Sequence, residues 1–322
     1  PLEQAIMNCL KRKEKVIILI NRRGFAPYIS CSKCKKIHKC TGCGLSYTYH
    51  SDKKFRCHRC NIIIAATHKC QNCNENSLEY SGLGTQRIMA EMKKMYPDAR
   101  MIRFDRDSAK TAKESDEQLK KFRSEGDILI GTQMIAKGHH IEAVTLVAVI
   151  GIESSLNLPD FRCAEQSFQL LIQVAGRAGR GSMPGKVIIQ TYQPEHYAIE
   201  HAKTHDYEGF YRKEIMNRKA LNYPPFSRLI HLIISSKEES ALGPYLQKIN
   251  IYLRKEIKSK QEVQQIGPKP APIEKVNGYQ RWQYIFKISH EKFNELSKIL
   301  AGIPKGSHKI RTIIDLDPKQ LM

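Results

Sequence analysis

The sequence predicts an α/β protein in which a parallel-sheet domain is interrupted by a cysteine-rich insert and followed by a small α+β domain. Three observations predict this architecture. Up to about residue 205, short apolar runs typical of buried parallel strands alternate with segments of helical periodicity. Eight cysteines lie between residues 31 and 73, and the order of elements changes after residue 206.

Composition sets the broad class of the protein. The 322 residues are 41% hydrophobic, which is enough for two or three domains with apolar cores. No apolar run is long enough to span a membrane, so a soluble protein is expected. The formal charge of +21 favours a polyanionic partner, nucleic acid above all, with a solvated basic surface as the alternative. Because the chain begins with Pro1 rather than methionine, we expect it to be a piece of a longer protein.

The first domain is predicted to cover residues 1–30 and 74–205. It opens with a helix near residues 2–10, and a later helix follows Ser81–Thr85. Ser115 and Gln118 have capping-box spacing and predict that another helix begins beside them. Apolar runs predict its strands at residues 16–20, 101–104, 127–130, 144–150 and 186–190.

Residues 206–226 are predicted to form a connecting helix that ends at a proline-containing stop, and residues 227–322 a last domain. The elements of that domain follow the order βαββαβ, which indicates helices on one face of an antiparallel sheet. Residues 267–272 are predicted to be a stiff, extended connection. The predicted strands are 229–234, 263–266, 280–288 and 310–316, and the predicted helices are 239–257 and 291–300.

The eight cysteines of the insert, residues 31–73, form four Cys-x-x-Cys steps. Two such steps can place four sulfurs around one zinc ion. Five residues separate Cys34 from Cys40, too few for a hairpin, whereas thirteen separate Cys43 from Cys57. We therefore predict two structural zinc ions, one on the middle pairs and one on the outer pairs, which also draws the ends of the insert together. The middle ligands are Cys40, Cys43, Cys57 and Cys60, and the outer ligands are Cys31, Cys34, Cys70 and Cys73.

Other uses of the insert stay open. Disulfides or a redox motif are the alternatives to zinc. The histidines among the cysteines could be substitute ligands, but we expect surface positions for them: His38, His50, His58 and His68. Tyr47 and Phe55 could stack on a base or pack inside the insert. The predicted DNA contacts of this basic segment are Lys53, Lys54, Arg56 and Arg59.

Two more motifs could hold phosphate. Residues 173–181, QVAGRAGRG, place Arg177 and Arg180 at a helix end between glycines, a cationic fork suited to a transferring phosphoryl group. Residues 131–140, GTQMIAKGHH, follow a core strand, and ligands bind at the carboxyl ends of such strands. Either motif alone could be a solvated helix end or an ordinary turn.

Together with residues 84–87, GTQR, and the eight-cysteine insert, these motifs resemble those of superfamily 2 helicases. The resemblance is closest to the carboxyl-terminal part of the PriA family of primosomal replication restart helicases, and it extends over essentially the whole chain, including YPPF at 223–226 and RWQ at 281–283. It implies a RecA-like second helicase lobe. It also implies an ATP-dependent 3′-to-5′ DNA helicase that remodels stalled or branched replication forks and starts primosome assembly.

The resemblance also implies residue roles. Arg177 and Arg180 would contact the γ-phosphate of ATP, with Arg180 as the arginine finger and Gln173 in the same cleft. Gly138 and His140 would face the nucleotide, although many related helicases have aspartate at the position of His140. The two residues implied to touch the phosphates of single-stranded DNA are Thr85 and Thr132.

A helicase further needs a Walker A loop and a Walker B acid. Residues 181–187 have the wrong spacing for the loop, and Glu153 follows an apolar strand but lacks its partner acid. We therefore expect this chain alone to be inactive and magnesium ATP to bind the full-length protein. The resemblance implies a monomer in the bacterial cytoplasm, at nucleoid replication forks. It also implies these partners: forked and single-stranded DNA, single-strand-binding protein and other primosome proteins.

Two other functions remain open. A non-catalytic zinc-ribbon DNA-binding or primosome scaffold module would use Arg177 and Arg180 only to hold a phosphate backbone. A redox or metal-storage protein would need thiols that form disulfides or exchange metal easily.

Overall fold

The computed structural model of the chain describes residues 1–21, 28–42, 46–49, 53–57, 62–81, 85–105, 108–109, 111–132, 135, 144–179, 184–257 and 263–321. They fall into two compact units, one of residues 1–38, 68–158 and 162–210, and one of residues 39–67, 159–161 and 211–322. The helices in chain order are α1 (Leu2–Lys11), α2 (Thr85–Met95), α3 (Ala112–Ser124), α4 (Glu153–Leu156), α5 (Cys163–Ala175), α6 (Tyr197–Lys203), α7 (Tyr207–Ala220), α8 (Glu239–Glu256) and α9 (Phe293–Ala301). The strands are β1 (Lys15–Ile20), β2 (Tyr28–Cys31), β3 (Thr48–Tyr49), β4 (Lys54–Arg56), β5 (Ile63–Ala65), β6 (Leu78–Ser81), β7 (Met101–Phe104), β8 (Ile128–Gly131), β9 (Val144–Ile150), β10 (Lys186–Gln190), β11 (Arg228–Ser236), β12 (Val263–Val276), β13 (Tyr279–Ile288) and β14 (Ile310–Leu316).

The first unit is built on a five-stranded sheet with the strand order β10-β9-β1-β8-β7. Every neighbouring pair in this sheet is parallel, as the alternation of strands and helices predicted. The sheet strands lie within a residue of the predicted runs. This confirms the parallel α/β architecture.

Strand β1 lies in the middle of the sheet, and both of its faces are apolar. Ile17 and Leu19 pack into the core that α3 and α5 cover. The alternate residues, including Ile18, pack into a second core under α1 and α2. Side chains alternate across a strand, so a continuous apolar run supplies both cores at once.

The start of α3 corrects one sequence prediction. The predicted cap at Ser115 and Gln118 is wrong, since the capping box is formed one turn earlier. The Thr111 hydroxyl accepts the Glu114 N–H at 3.2 Å, and the Glu114 carboxylate accepts the Thr111 N–H at 3.0 Å. The Ser115 hydroxyl instead donates to the Thr111 carbonyl oxygen at 3.0 Å. Two adjacent motifs had the same spacing, and the earlier one begins the helix.

Strands β2 and β6 pair in antiparallel fashion and close the cysteine-rich segment at its ends. Their register places Cys31 opposite Leu78. This short ladder therefore joins the two ends of the cysteine-rich segment. Residues 28–38 and 68–81, on either side of this ladder, belong to the first unit.

The second unit contains the small sheet of β3, β4 and β5, in that order. Tyr47 and Phe55 form its interior, with 1% and 0% of their surfaces exposed, and their rings stack at a centroid distance of 6.2 Å. The prediction that these rings could stack on a base is wrong for these positions. They pack inside the segment, which was the other interpretation.

The larger part of the second unit is an antiparallel sheet with the order β12-β13-β11-β14. Helices α8 and α9 pack on one face of it against Ile230, Leu232 and Phe286. The element order from residue 228 is βαββαβ, as predicted. Residues 267–272, predicted to be a connection, instead belong to the long edge strand β12, whose pairing is interrupted around them. Prolines are tolerated there because an edge strand leaves part of its backbone unpaired.

The short helices α4 and α6 were not predicted. In α6, Ala198, Ile199 and Ala202 are buried at helical spacing, a signal too short to separate from loop. Within the described residues, every helix is too short or too polar to cross a membrane.

Candidate metal centre and nucleotide site

The structure brings together the four cysteines of the two outer steps. The Sγ atoms of Cys31, Cys34, Cys70 and Cys73 all lie within 4.8 Å of one another. Cys31 Sγ is 3.6 Å from Cys73 Sγ, and Cys34 Sγ is 3.6 Å from Cys70 Sγ. Four sulfurs bound tetrahedrally to zinc at 2.3 Å are about 3.8 Å apart. The donor set and its spacing therefore fit a closed tetrathiolate zinc site.

Hydrogen bonds to the sulfurs fit the same interpretation. The Cys34 N–H donates to Cys31 Sγ at 3.3 Å, and the Asn72 N–H donates to Cys70 Sγ at 3.4 Å. Such donors disperse the negative charge of thiolate ligands. The eight described cysteines are all free of disulfides, and a sulfur separation of 3.6 Å is far longer than a disulfide bond.

The thiols of this cluster differ in acidity. Burial raises the pKa of Cys31, but hydrogen bonds from the Ser77 hydroxyl and the Cys34 N–H outweigh it and lower that pKa to about 6. A backbone hydrogen bond near Glu75 lowers the pKa of Cys73, but burial and the neighbouring thiols raise it to about 11. Without a cation, one thiolate therefore suppresses ionisation of its neighbour. A bound metal ion removes this conflict because it stabilises all four thiolates.

The predicted middle cluster is described in part. Cys40 and Cys57 are both buried in the second unit, with 2% and 1% of their surfaces exposed. Cys43 and Cys60 lie outside the described residues. The second zinc ion thus stays a prediction.

The histidines of the segment occupy different environments. The expectation that His38 lies on the surface is wrong, since only 3% of it is exposed and burial lowers its pKa. The chain turns back onto β2 after the first cysteine step, and the His38 N–H donates to the Ile29 carbonyl oxygen at 2.8 Å. His68 is exposed as expected. His50 and His58 lie outside the described residues.

The predicted basic contacts are largely accessible. Lys53 and Lys54 are exposed, and Arg56 is partly buried. Within β4, Lys54 and Arg56 alternate with the buried Phe55, so this strand has a basic face and an apolar face. Arg59 lies outside the described residues.

Thr132 lies at the carboxyl edge of the parallel sheet. Its N–H donates to the carbonyl oxygen of Phe104, the last residue of the neighbouring strand β7, at 3.3 Å. The preceding Gly131 is needed for this approach, because a Cβ there would lie 1.9 Å from the Phe104 oxygen. Thr85 is the first residue of α2, the helix that leads to β7.

The arginine-bearing turn follows α5 at the opposite, amino edge of the sheet. Gln173 is exposed and Arg177 is partly buried. The Gly179 N–H donates to the carbonyl oxygen of Val144, the first residue of β9, at 3.1 Å. A Cβ on Gly185 would lie 2.2 Å from the Ala178 carbonyl carbon and 2.2 Å from the Gly179 nitrogen. Backbone contacts from both sides therefore fix the turn.

The other predicted nucleotide residues, Arg180, Gly138 and His140, lie outside the described residues. Gly138 and His140 precede Val144 closely in the sequence. Among the described residues of the first unit, Thr132 lies at the carboxyl edge of the sheet, and the turn that carries Arg177 lies at the amino edge.

A polar network that the sequence did not predict supports the amino edge. The Thr145 hydroxyl donates to the Glu14 carboxylate at 2.5 Å, and Cys9 Sγ lies 3.5 Å from the same hydroxyl. Arg12 forms an ion pair with Glu14 at 2.6 Å. The Arg12 hydrogen bond is the main cause that lowers the pKa of Glu14 to about 2. Because Thr145 follows Val144, this network fixes the strand end that anchors Gly179.

Glu153 has a structural use. Only 1% of it is exposed, and its carboxylate accepts hydrogen bonds from the Thr191 hydroxyl at 2.5 Å and the Tyr192 N–H at 2.6 Å. It therefore joins α4 to the segment after β10.

Two family models match the chain. The Helicase conserved C-terminal domain matches residues 59–182, and the Primosomal protein N C-terminal domain matches residues 219–319. The first match contains the arginine-bearing turn and the second contains the antiparallel sheet. The class is therefore that of a helicase carboxyl-terminal domain joined to a primosomal carboxyl-terminal domain.

Curated relatives identify the particular protein family. Replication restart protein PriA of Bacillus subtilis (strain 168) is 36% identical over 330 residues, which cover 100% of this chain and 40% of that protein. Replication restart protein PriA of Chlamydia trachomatis is 38% identical over 98% of this chain and 42% of the relative, and that of Chlamydia muridarum is 39% identical over 95% and 41%. The chain corresponds to the carboxyl-terminal region of PriA, and it spans about 40% of the length of these relatives. A solved structure of S. cerevisiae Dbp5 bound to RNA and ADP BeF3 covers 68% of the chain and 42% of its own at 13% identity, and its TM-score of 0.33 is too low to carry an argument.

Proposed function

We propose that the chain is the second motor lobe, zinc insert and carboxyl-terminal domain of an ATP-dependent 3′-to-5′ DNA helicase. The helicase would recognise and remodel stalled or branched replication forks and start primosome assembly. The proposed parts are the lobe (1–30 and 74–205), the zinc insert (31–73), the connecting helix (206–226) and the last domain (227–322).

The observation that carries this proposal is the fixed position of the arginine-bearing turn at one edge of the sheet. An arginine that stabilises a transferring phosphoryl group must be held in place before the reaction, because electrostatic catalysis depends on preorganisation. The contact between Val144 and Gly179 and the close approach of Gly185 supply this constraint. Arg177, Arg180 and Gln173 would contact bound ATP from this edge, with Gly138 and His140 beside them. Thr85 and Thr132 would hold single-stranded DNA at the other edge.

Zinc would be structural in both predicted clusters. Four sulfur ligands leave no position for a substrate, so the metal would organise the segment and present its basic residues to forked DNA. Lys53 and Lys54 are exposed on that segment, which supports this role. Their contacts with phosphates would weaken as salt concentration rises.

The remaining parts of the reaction would come from the longer protein. The chain has no Walker A loop, and Glu153 is committed to Thr191 and Tyr192. The binding of magnesium ATP would therefore require a first lobe, and the chain alone would be inactive. The proposed partners of the full-length protein are single-strand-binding protein and other primosome proteins. The full-length protein would be a monomer in the cytoplasm, at nucleoid replication forks.

The experiment that tests the motor role compares the full-length protein with this chain. We expect DNA-stimulated ATP hydrolysis and unwinding of forks with a 3′ overhang only from the full-length protein. Arg177→Ala should lower kcat by about 100-fold or more. Arg254→Ala, at an exposed arginine of α8, is the matched control and should keep wild-type kcat.

Two results would argue against the motor role. Equal ATP hydrolysis by the Arg177 and Arg254 variants would remove the arginine-bearing turn from catalysis. Fork binding without hydrolysis by the full-length protein would favour the non-catalytic scaffold. Fork binding measured before and after zinc chelation tests the metal role separately, with loss of fork preference as the expected result.

A further inference from the structure

Ser77 is a residue of the cysteine cluster that the Cys-x-x-Cys pattern does not contain. Its hydroxyl oxygen lies 3.0 Å from Cys31 Sγ. A hydroxyl at this distance can donate a hydrogen bond to sulfur, and a thiolate can only accept one. Ser77 is partly buried and immediately precedes β6.

Hydrogen bonds to its backbone hold Ser77 in position beside the cysteine cluster. Its carbonyl oxygen accepts the Ser32 N–H at 2.8 Å and the Ser32 hydroxyl at 3.2 Å. These two contacts continue the β2–β6 ladder by one residue beyond the pair of Cys31 and Leu78. The hydroxyl of Ser77 is thus aimed at Cys31 by the same strands that close the segment.

The Ser77 hydroxyl has one proton and two acceptors within reach. Besides Cys31 Sγ, the Glu75 carbonyl oxygen lies 3.5 Å from it, at the limit of hydrogen-bond length. A charged sulfur is the stronger acceptor of the two, because hydrogen bonds to ionised groups are stronger than those between neutral groups. Ionisation of Cys31 on metal binding therefore directs the proton to sulfur.

We propose that Ser77 is a positioning residue of the zinc site, whose hydroxyl donates to the Cys31 thiolate and raises the affinity of the four cysteines for zinc. This inference rests on the proposed zinc site and extends it beyond the ligands. A Zn²⁺ ion with four thiolates has a net charge of −2, so a donor to sulfur stabilises the complex. Outer hydrogen bonds of this kind typically change metal affinity by about 10- to 100-fold.

The test uses the intact chain loaded with metal and three variants. Zinc affinity is measured by competition with a chromophoric chelator, and the environment of sulfur is measured from the thiolate-to-metal charge-transfer bands of the Co²⁺-substituted protein. Ser77→Ala removes the donor, and Ser77→Thr keeps a hydroxyl. Ser32→Ala is the matched control, because it removes a neighbouring hydroxyl that bonds to the Ser77 carbonyl oxygen rather than to sulfur.

We expect Ser77→Ala to weaken zinc binding by about 10-fold or more and to shift the charge-transfer bands. Ser77→Thr should restore both, and Ser32→Ala should leave the bands in place. All variants keep the predicted middle cysteines, so differences between them report on the outer cluster. Equal affinity and identical bands in wild type and Ser77→Ala would overturn the inference while the zinc site stands. If the Cys31→Ser variant binds as much zinc as the wild-type chain, the proposed zinc site itself is wrong.

Discussion

The parallel sheet buries both faces of its central strand in apolar side chains, whereas segment 28–81 is built from strands of two to four residues. Three strands of the sheet, β1, β8 and β9, contain continuous buried runs, and in the run Val16–Ile20 every residue has at most 2% of its surface exposed. In the segment, the sulfurs of four cysteines lie within 4.8 Å of one another. With the proposed zinc ion, the two regions would meet the entropy cost of folding in two ways, one by apolar burial and one by cross-linking through a metal.

This difference predicts different dependences on metal. Short isolated strands are marginal in water, because they bury too little apolar surface. Segment 28–81 should therefore fold only when its cysteines are joined. The parallel sheet should fold without metal, since its two cores contain no cysteine of the cluster.

Removal of two ligands should have the largest effect. In the variant Cys31→Ser with Cys70→Ser, we expect loss of one zinc ion per chain and loss of amide-exchange protection in residues 28–38 and 68–81. Metal binding at structural zinc sites is worth about 10–16 kcal/mol, which short strands cannot replace. The amides of β1, β8 and β9 should stay protected.

Cys163→Ala is the control for this variant, because it removes a buried thiol outside the cluster. It should leave zinc content at the wild-type value. Retained protection of residues 28–38 in the double variant would show that apolar packing, not metal, folds the segment, and the contrast between the two regions would be lost.

A cavity in the parallel sheet tests the other side of the comparison. Ile18→Ala removes a fully buried side chain at the centre of β1. We expect a loss of about 2–5 kcal/mol in the free energy of unfolding, measured by urea denaturation. Zinc content should not change, because the sheet and the cluster are stabilised separately.

Ile251→Ala is matched in residue type but 70% exposed, and it should change stability by less than about 0.5 kcal/mol. A release of zinc in Ile18→Ala at concentrations of urea that leave the control intact would mean that the cluster depends on the sheet.

Much of the fold was predictable because its signals are local. Apolar runs gave the parallel strands, and the order βαββαβ gave the second sheet. Loop length between cysteine steps pointed to Cys31, Cys34, Cys70 and Cys73 as one set, and these sulfurs lie together. Each of these inferences used only the spacing of residues along the chain.

The errors came from contacts that spacing does not contain. His38 is buried because the chain folds back on β2, and residues 267–272 extend an edge strand because β13 lies beside them. The same holds for the candidate site. Glu14 accepts a hydrogen bond from Thr145, which is 131 residues away in the sequence, and Gly185 lies against the backbone of Ala178. No sequence motif predicts either contact.

The arginine-bearing turn lies in the region that we predict to fold without metal, and Gly185→Ala tests how firmly that region holds the turn. The new methyl group would meet the backbone at 2.2 Å, so the turn must shift. Misplacement of catalytic groups by about 1 Å can cost 100-fold in rate. We expect kcat for ATP hydrolysis by the full-length protein to fall by about 10- to 100-fold with zinc content unchanged.

Gly243→Ala provides the matched glycine control, because a Cβ there would have no atom within 4 Å apart from its chain neighbours and the backbone of its own helix. It lies inside α8, where alanine is the better helix former, and should keep activity. Wild-type kcat in Gly185→Ala would indicate that the turn adjusts freely and that the sheet does not preorganise it.

The smallest expected effect concerns the polar network that supports the same strand end. The pKa of Glu14 is lowered from 4.5 to about 2 in the folded chain, mainly by its hydrogen bond with Arg12. A lowered carboxyl pKa contributes stability that is complete above the unfolded pKa and is lost as pH falls through the folded pKa. The contribution of Glu14 should therefore disappear between about pH 4.5 and pH 2.

Glu14→Gln should accordingly lower the free energy of unfolding at pH 7 by less than about 1 kcal/mol, because solvent screens the pair with Arg12. The difference from wild type should be small at pH 2 and vanish below it, as the Glu14 carboxylate becomes protonated. Urea denaturation at several pH values measures this difference, and Arg12→Gln should reproduce most of it, since Arg12 is the main cause of the lowered pKa. A difference that stays constant from pH 7 to pH 2 would mean that Glu14 acts through its shape and its bond with Thr145 rather than through its charge. The amino edge would then be held by packing alone, like the rest of the sheet.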